Sequence, residues 1–282
     1  MAPATATSSA RRAYPRERPR KPSRKGGEAT FWDKLLFGCP QKPSTLGFLA
    51  GATERIRLLS YVFIPAYRHP LAVAKALCTL DALSKGRLIA GLGAGHLEAE
   101  FQALGAEFSQ RGPLLEESVA ALKVAFAEEF PCHSGPRWRF ADLAIAPRPV
   151  QKPRPPIWIG GSTLPAMRRA ARLADGWLPQ GPPPQGMEEG VRFLLAARRQ
   201  YHGDAPLEIG MNAPWMYLGK PAADLPANTV TGSAEEVAAC LLRLRQLGAT
   251  HVMVRFRSRS CAELLEQIAR FGEEVQPLLA LR

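Results

Sequence analysis

Between Ala50 and Glu100 the chain reads as strand, helix, strand, and the second strand leaves through a run of glycines. Ile56 to Phe63 is a β-branched and aromatic run of strand length, and Pro65 and Pro70 mark where it leaves a sheet. Val73, Leu77, Leu80 and Leu83 recur at helical spacing and make one apolar stripe, closed by the cation and stop of Lys85-Gly86. Arg87 to Leu92 then reads as a second, buried strand. Its exit, Gly91-Leu92-Gly93-Ala94-Gly95-His96, has three positions without a Cβ, so the backbone there can approach a ligand closely. The C-terminal ends of such strands are where α/β barrels carry their chemistry.

The remaining chain continues the alternation. Leu115, Val119, Leu122 and Phe126 mark a helix, and Pro131 to Pro155, holding Trp138, Pro147, Pro149 and Pro153, is a long connection of the kind that often carries function. Pro156 to Gly161 is a short buried strand, with Ser162 expected to cap the helix of Met167, Ala171 and Ala174. Strands are expected at Gly176 to Gln180, at Leu207 to Leu218 with an interruption at Pro214, and at His251 to Phe256. Ser233 with Glu236 and Ser260 with Glu263 read as capping boxes. The second opens a helix whose expected stripe is Leu264, Ile268, Phe271, Val275 and Leu278. Six alternations of strand and helix predict a parallel sheet with crossover helices. A closed barrel of this type needs eight strands. The expected fold is therefore α/β, a (β/α)8 TIM-barrel type missing or replacing its first one to two strands, with Ile56 to Phe63 as an edge strand.

Composition sets the boundaries of that barrel. The chain has 282 residues and a net charge of +12. Residues 1–30 carry eight basic groups against Glu17 and Glu28, half of the excess. Residues 1–30 also hold four prolines and little apolar content, so 1–42 is expected to be a disordered basic arm and 43–282 the barrel domain. The arm lacks aromatic interleaving, so no nucleic-acid partner is expected. The five cysteines form no C-x-x-C pair or metal-ligand spacing, and no apolar run reaches membrane-helix length, so the reading is cytoplasmic, without metal or membrane.

Five separated blocks carry a family likeness: TERIRL, the P-x-Y-R-x-P turn at Pro65 to Pro70, TLDALSKGRLIAGLGAG with Glu100 beyond it, PPIWIGGS and AARLADGW. In order and spacing they resemble the luciferase-like monooxygenases, flavin- and deazaflavin-dependent barrel oxidoreductases, from about Pro43 to the C-terminus. The resemblance implies FMN or coenzyme F420 as cofactor. It also implies that a strand, a helix and a second strand should precede Pro43, where this chain has the basic arm and Phe31 to Phe37. A truncated, fused or altered N-terminus is the expectation.

The candidate site residues follow. A strand ending in Gly160-Gly161 and opening a helix at Ser162-Thr163 aims backbone amides and the positive helix end at one point, a phosphate cradle or an ordinary barrel turn. The resemblance implies the cradle. Gly93, Ala94 and Gly95 can pass under a flat ring, since G-x-G-x-x-G fails in both frames. His96 beside them reads either as a proton donor or as a structural histidine. At Tyr61-Val62 the resemblance implies a non-proline cis bond behind the cofactor ring, where the residues alone permit a regular strand. Asp175-Gly176-Trp177 is explained by a packed glycine turn. No nucleotide-binding P-loop, zinc-protease or serine-hydrolase motif is present. The expected function is oxidation of a small organic substrate with molecular oxygen. The alternatives are deazaflavin hydride transfer without oxygen and a degenerate non-catalytic barrel. A homo-oligomer or partner-dependent assembly is expected from the open sheet edge.

Overall fold

The structure, a computed structural model, describes residues 42–221 and 224–280. The basic arm, with Phe31 to Phe37, lies outside the described residues. The chain enters through α1 (Lys42–Ala52) and then alternates: β1 (Leu58–Leu59), α2 (Pro70–Leu83), β2 (Leu88–Leu92), α3 (Glu98–Ala103), α4 (Arg111–Ala127), β3 (His133–Ser134), β4 (Arg139–Phe140), β5 (Ile157–Gly160), α5 (Leu164–Leu173), β6 (Gly176–Leu178), α6 (Met187–His202) and β7 (Glu208–Leu218). It ends with β8 (Thr229–Gly232), α7 (Ala234–Gln246), β9 (His251–Phe256), α8 (Cys261–Arg270), a π turn and α9 (Gln276–Ala280). The parallel order β1-β2-β5-β6-β7-β9, with β8 added along the outer half of β7, curls into a half-barrel. Among the described residues the flank of β1 away from β2 and that of β9 away from β7 are unpaired.

The expected strand Ile56 to Phe63 shrinks to two residues. Phe63 still bridges Leu92, but the Tyr61-Val62 peptide between them is cis and interrupts the ladder. Helix α2 forms where its stripe placed it. Pro70 opens it, the His69 ring accepts from the Leu71 amide, and Val73, Leu77 and Leu80 are buried. Leu83 instead faces solvent, because the helix ends there. Lys85 and Gly86 take positive φ, and the Gly86 amide reaches back to the Asp81 carbonyl at 2.8 Å. The long connection is not structureless, since β3 and β4 make a short hairpin within it.

Two predicted capping features are corrected. Thr163, not Ser162, caps α5. Ser260 caps α8, but the Glu263 carboxylate does not close the box. It accepts from the Arg259 amide and guanidinium and from the Tyr217 hydroxyl, and the Arg259 contacts hold its carboxyl down at about 2. The α8 stripe is also displaced. Ile268 is exposed while Gln267 is buried, because this helix face meets the end of β7, whose backbone needs partners. Gln267 supplies both, accepting from Leu218 N at 2.6 Å and donating to Leu218 O at 3.3 Å.

Ionic ties close the end of the sheet where the strands begin. The Arg87 guanidinium takes the carbonyls of Ala50 and Thr53, both at 2.8 Å, and so serves as a cation at the C-terminus of α1. The fully buried Asp81 accepts from the amides of Val150 and Gln151 and from the Gln151 side chain, pinning the long connection. Asp175 takes both arms of Arg154, at 2.6 and 3.0 Å, and the Ile157 amide at 2.7 Å. Burial alone would raise its carboxyl. Arg154 and the Ile157 amide outweigh burial and hold it below the usual carboxylate range. A depressed carboxyl stabilises the fold above the unfolded-state value of 3.8 and loses that contribution as pH falls through the folded value. Asp175→Asn should therefore have a lower urea midpoint than the parent at pH 6, with the gap narrowing steadily toward pH 2. A constant gap across that range would show that the charge of Asp175 contributes nothing.

Candidate active site at the carboxyl ends of the strands

The concave face is a checkerboard of bulk and glycine. Trp158 on β5 has Gly91 of β2 and Gly176 of β6 as its in-register neighbours, and its indole lies over Gly176 and on toward Gly210 of β7, whereas the space at Gly91 is closed by the Ser60 carbonyl and Leu59. In the next row Leu178 stands beside Gly160. A Cβ at Gly176 would sit 2.6 Å from the Trp158 ring, and one at Gly210 would sit 2.8 Å from Leu178. With Ile89, Leu59, Tyr61 and Val62, these residues form the apolar floor of the half-barrel. The His251 ring stands edge-on to Trp158, with ring centroids 4.8 Å apart, and continues that floor onto β9.

Above the floor the predicted residues partly converge. Val62 is seated between two bare backbones. A Cβ at Gly93 would lie 2.6 Å from its Cγ2, and one at Gly160 3.0 Å from its Cγ1. Tyr61 crosses the lumen. Its hydroxyl lies 3.2 Å from the Pro179 carbonyl oxygen and 2.9 Å from Asn212 Nδ2, which donates to it. The turn at Gly161 is held from behind by the buried Trp177, whose indole donates to the Gly161 carbonyl at 2.8 Å, and by the Gly161 amide bonded to Leu178 O. Ser162 donates its hydroxyl proton to Gly181 O at 2.7 Å and accepts from the Gln180 amide, tying two loops together. The Thr163 hydroxyl accepts from Ala166 N as cap and keeps its own proton for another acceptor.

The other predicted residues sit elsewhere. Ala94 packs into the main outer core, and the space at Gly95 is filled by Phe101, 2.7 Å from where a Cβ would stand. His96 is exposed on the loop between β2 and α3. Asn212, absent from the sequence reading, is the polar centre of the lumen. The signal for the β9 wall was present, because His251, Arg255 and Arg257 alternate with Val252, Val254 and Phe256 at the period of a strand. Among the described residues no group of acidic, histidine or cysteine side chains could hold a metal ion, and no helix is long and apolar enough to cross a membrane.

This arrangement can be compared with known proteins. The family model described as luciferase-like monooxygenase matches residues 27–223. The chain belongs to that family. An uncharacterized protein of Mycobacterium tuberculosis is 33% identical over 250 residues, 88% of this chain and 81% of that one. The FMNH2-dependent dimethylsulfone monooxygenase of Pseudomonas putida is 31% identical over 168 residues, 58% of this chain, and the match spans only 46% of that enzyme's length. The solved structure of the coenzyme F420-dependent tetrahydromethanopterin reductase from Methanopyrus kandleri shares the fold, with a TM-score of 0.71 at 16% identity, covering 86% of this chain and 89% of that one.

The glycine seat of Val62 gives the family member a measurable coupling. Gly93→Ala should cost about 1–3 kcal/mol by overpacking. Adding Val62→Ala should recover part of the loss, a coupling above ~0.5 kcal/mol in a double-mutant cycle read by urea unfolding. Strict additivity would mean that the two residues are not in contact.

Proposed function

We propose that the chain is a flavin- or deazaflavin-dependent oxidoreductase that oxidises a small organic substrate with molecular oxygen, using FMN or coenzyme F420. The observation that carries this reading is the bare backbone at Gly93 and Gly160 around Val62, which forms a seat beside the Gly160 to Thr163 turn. The residues fit such a group. Helix α5 is ten residues long and starts at that turn, so its dipole favours an anion there; Pro165 has no amide hydrogen and the Ala166 amide is taken by the Thr163 hydroxyl, which itself has a proton to give. Ser162 contributes by fixing the turn to the loop after β6, since its proton is already committed to Gly181. When bound, a reduced flavin supplies oxygen activation and a deazaflavin supplies hydride transfer.

The chain's own residues do the remaining work. Val62 supports the ring from below. The Tyr61 and Asn212 pair presents a polar point in an otherwise apolar lumen, able to orient one hydrogen-bonding group of a bound molecule. The loop after β2, with Gly95 and the exposed His96, lies at the carboxyl end of that strand, where the imidazole could donate a hydrogen bond or a proton to a bound molecule. Hydride transfer without oxygen is the second reading, favoured by the shared fold of the F420-dependent reductase. The flank of β1, unpaired among the described residues, supports assembly with a second copy or a partner.

Thr163→Asp tests the cradle without disturbing the fold, because aspartate caps a helix as well as threonine does. The added charge stands where the phosphate would sit. FMN or F420 affinity, followed by fluorescence titration, should fall at least tenfold, about 1.4 kcal/mol, with the melting midpoint unchanged. Unaltered affinity in this variant would remove the turn from the site. A glycine replacement is a poorer test, because Gly161 has φ of 120° and a Cβ there would lie 2.8 Å from Ala166.

A further inference from the structure

The wall of the half-barrel built by β7, β8 and β9 carries a second group of polar residues. Trp215 of β7 is in register with Thr229 of β8 on one side and Arg255 of β9 on the other, so the three side chains stand side by side on one face. That face is the concave one. Arg255 shares the strand period of His251, which packs on Trp158, whereas Val254 and Phe256 pack against the outer helices. Arg257 follows two residues further toward the rim.

The two guanidiniums gather on one indole, with Arg257 Cζ 4.2 Å and Arg255 Cζ 5.0 Å from the Trp215 ring centroid. Among the described residues neither has a carboxylate partner. Arg255 spends its bonds on the Ala213 carbonyl, at 2.8 and 3.3 Å, and Arg257 gives one bond to the Asn228 side-chain oxygen at 3.2 Å. Glu263, an acid on the neighbouring helix α8, is fully engaged by Arg259 and Tyr217. Arg257 Nε and Thr229 Oγ1 are both buried and have no hydrogen-bond partner among the described residues. Two like charges beside two unsatisfied buried polar atoms are costly to assemble unless an anion completes them.

We propose that Arg257, Thr229, Trp215 and Arg255 form a subsite for an oxyanion group, a carboxylate, sulfonate or phosphate ester, on the small organic substrate. The inference rests on the reading of the concave face as the active site. A guanidinium fork matches an oxyanion with two donors, and Thr229 adds a hydroxyl donor beside it. Trp215 keeps the forks planar against its face and supplies an apolar edge for the carbon skeleton. The subsite is not the cofactor's phosphate cradle, because the Gly160 to Thr163 turn follows β5, and β6 stands between β5 and β7. Two strand spacings separate the two positions sideways by roughly 10 Å, and Trp215 stands roughly 15 Å further along its strand than Gly210, which is level with Leu178 and Gly160. A substrate would then be held by its charge on one wall and present its apolar end to the seat at Val62.

The test uses the full chain and two probes, methanesulfonate and inorganic sulfate, titrated calorimetrically at low salt without cofactor. Both should bind saturably. Arg257→Gln should weaken both at least tenfold, and Arg257→Lys, which keeps the charge but loses the fork, should weaken them less. FMN affinity should stay within twofold in both variants. Absence of saturable binding, or equal binding by the Gln variant with an unchanged melting midpoint, overturns the subsite. Sulfate binding without methanesulfonate binding overturns its assignment to an organic substrate. Displacement of FMN by sulfate, with FMN affinity lost in the Arg257 variants, overturns it in favour of a cofactor phosphate. Arg257-dependent binding of both probes in a chain that takes up neither FMN nor F420 leaves the subsite standing and sinks the cofactor reading alone.

Discussion

The structure depends on an exchange of bulk for bare backbone across neighbouring strands. Trp158 can lie across the concave face only because Gly176 of β6 and Gly210 of β7 leave the space, and Val62 can point inward only because Gly93 and Gly160 do the same. Curling a parallel sheet brings concave side chains together faster than convex ones, so the inner face must save volume somewhere. This chain saves it in one-residue steps, large beside absent, and the result is a closed apolar floor with an open mouth. The same device that packs the lumen thereby shapes the surface on which a flat molecule can rest.

The two ends of the sheet divide the labour. Where the strands begin, most charged side chains are consumed within the protein: Arg87 on helix-end carbonyls, Asp81 on the long connection, Arg154 on Asp175, with Arg148, which caps α4 through Ala127, leaving one buried Nη1 without a partner among the described residues. Where the strands end, the polar groups are less fully used. Thr163 keeps a proton, and among the described residues Arg257 Nε and Thr229 Oγ1 have no partner. A fold that satisfies its ions at one end and leaves donors unspent at the other is stable by virtue of the first and receptive by virtue of the second.

This division explains what could be read from the sequence. The order of strands and helices was legible, because β-branched runs, helical stripes and capping serines are local signals. The blocks that marked the family, TLDALSKGR and AARLADGW, were legible too, and in the structure they hold Asp81, Arg87 and Asp175, the structural ties. The edge strand was overestimated because the four steps from Leu59 to Phe63 answer only three from Ile89 to Leu92, an irregularity that residue types do not show, and only the family resemblance pointed to the cis peptide at Tyr61-Val62. The α8 stripe was misread at Ile268 because the need of Leu218 for a backbone partner is non-local. In the candidate site the glycine turns were visible, while Asn212 and Trp215 were not, since their positions depend on pairing between strands distant in sequence. Arg255 and Arg257 had a period to betray them, but only relative to a face that the sequence does not label.

The bulge in β7 has a consequence for how this chain can vary. Asn212 pairs with Met253 and Trp215 with Arg255, so three steps on β7 answer two on β9, and Pro214, which has no amide to offer a ladder, takes up the difference. Arg255 collects the Ala213 carbonyl that the irregularity frees. Side chains alternate faces with every residue, so the extra residue is what lets Asn212 and Trp215, an odd number of steps apart, both share the face of Met253 and Arg255. Removal of one residue there would leave two steps opposite two, a regular ladder with Trp215 still beside Arg255 but without the freed Ala213 carbonyl that its guanidinium collects. The bulge therefore sets where the Arg255 guanidinium is anchored, not which face of the sheet the cationic wall occupies.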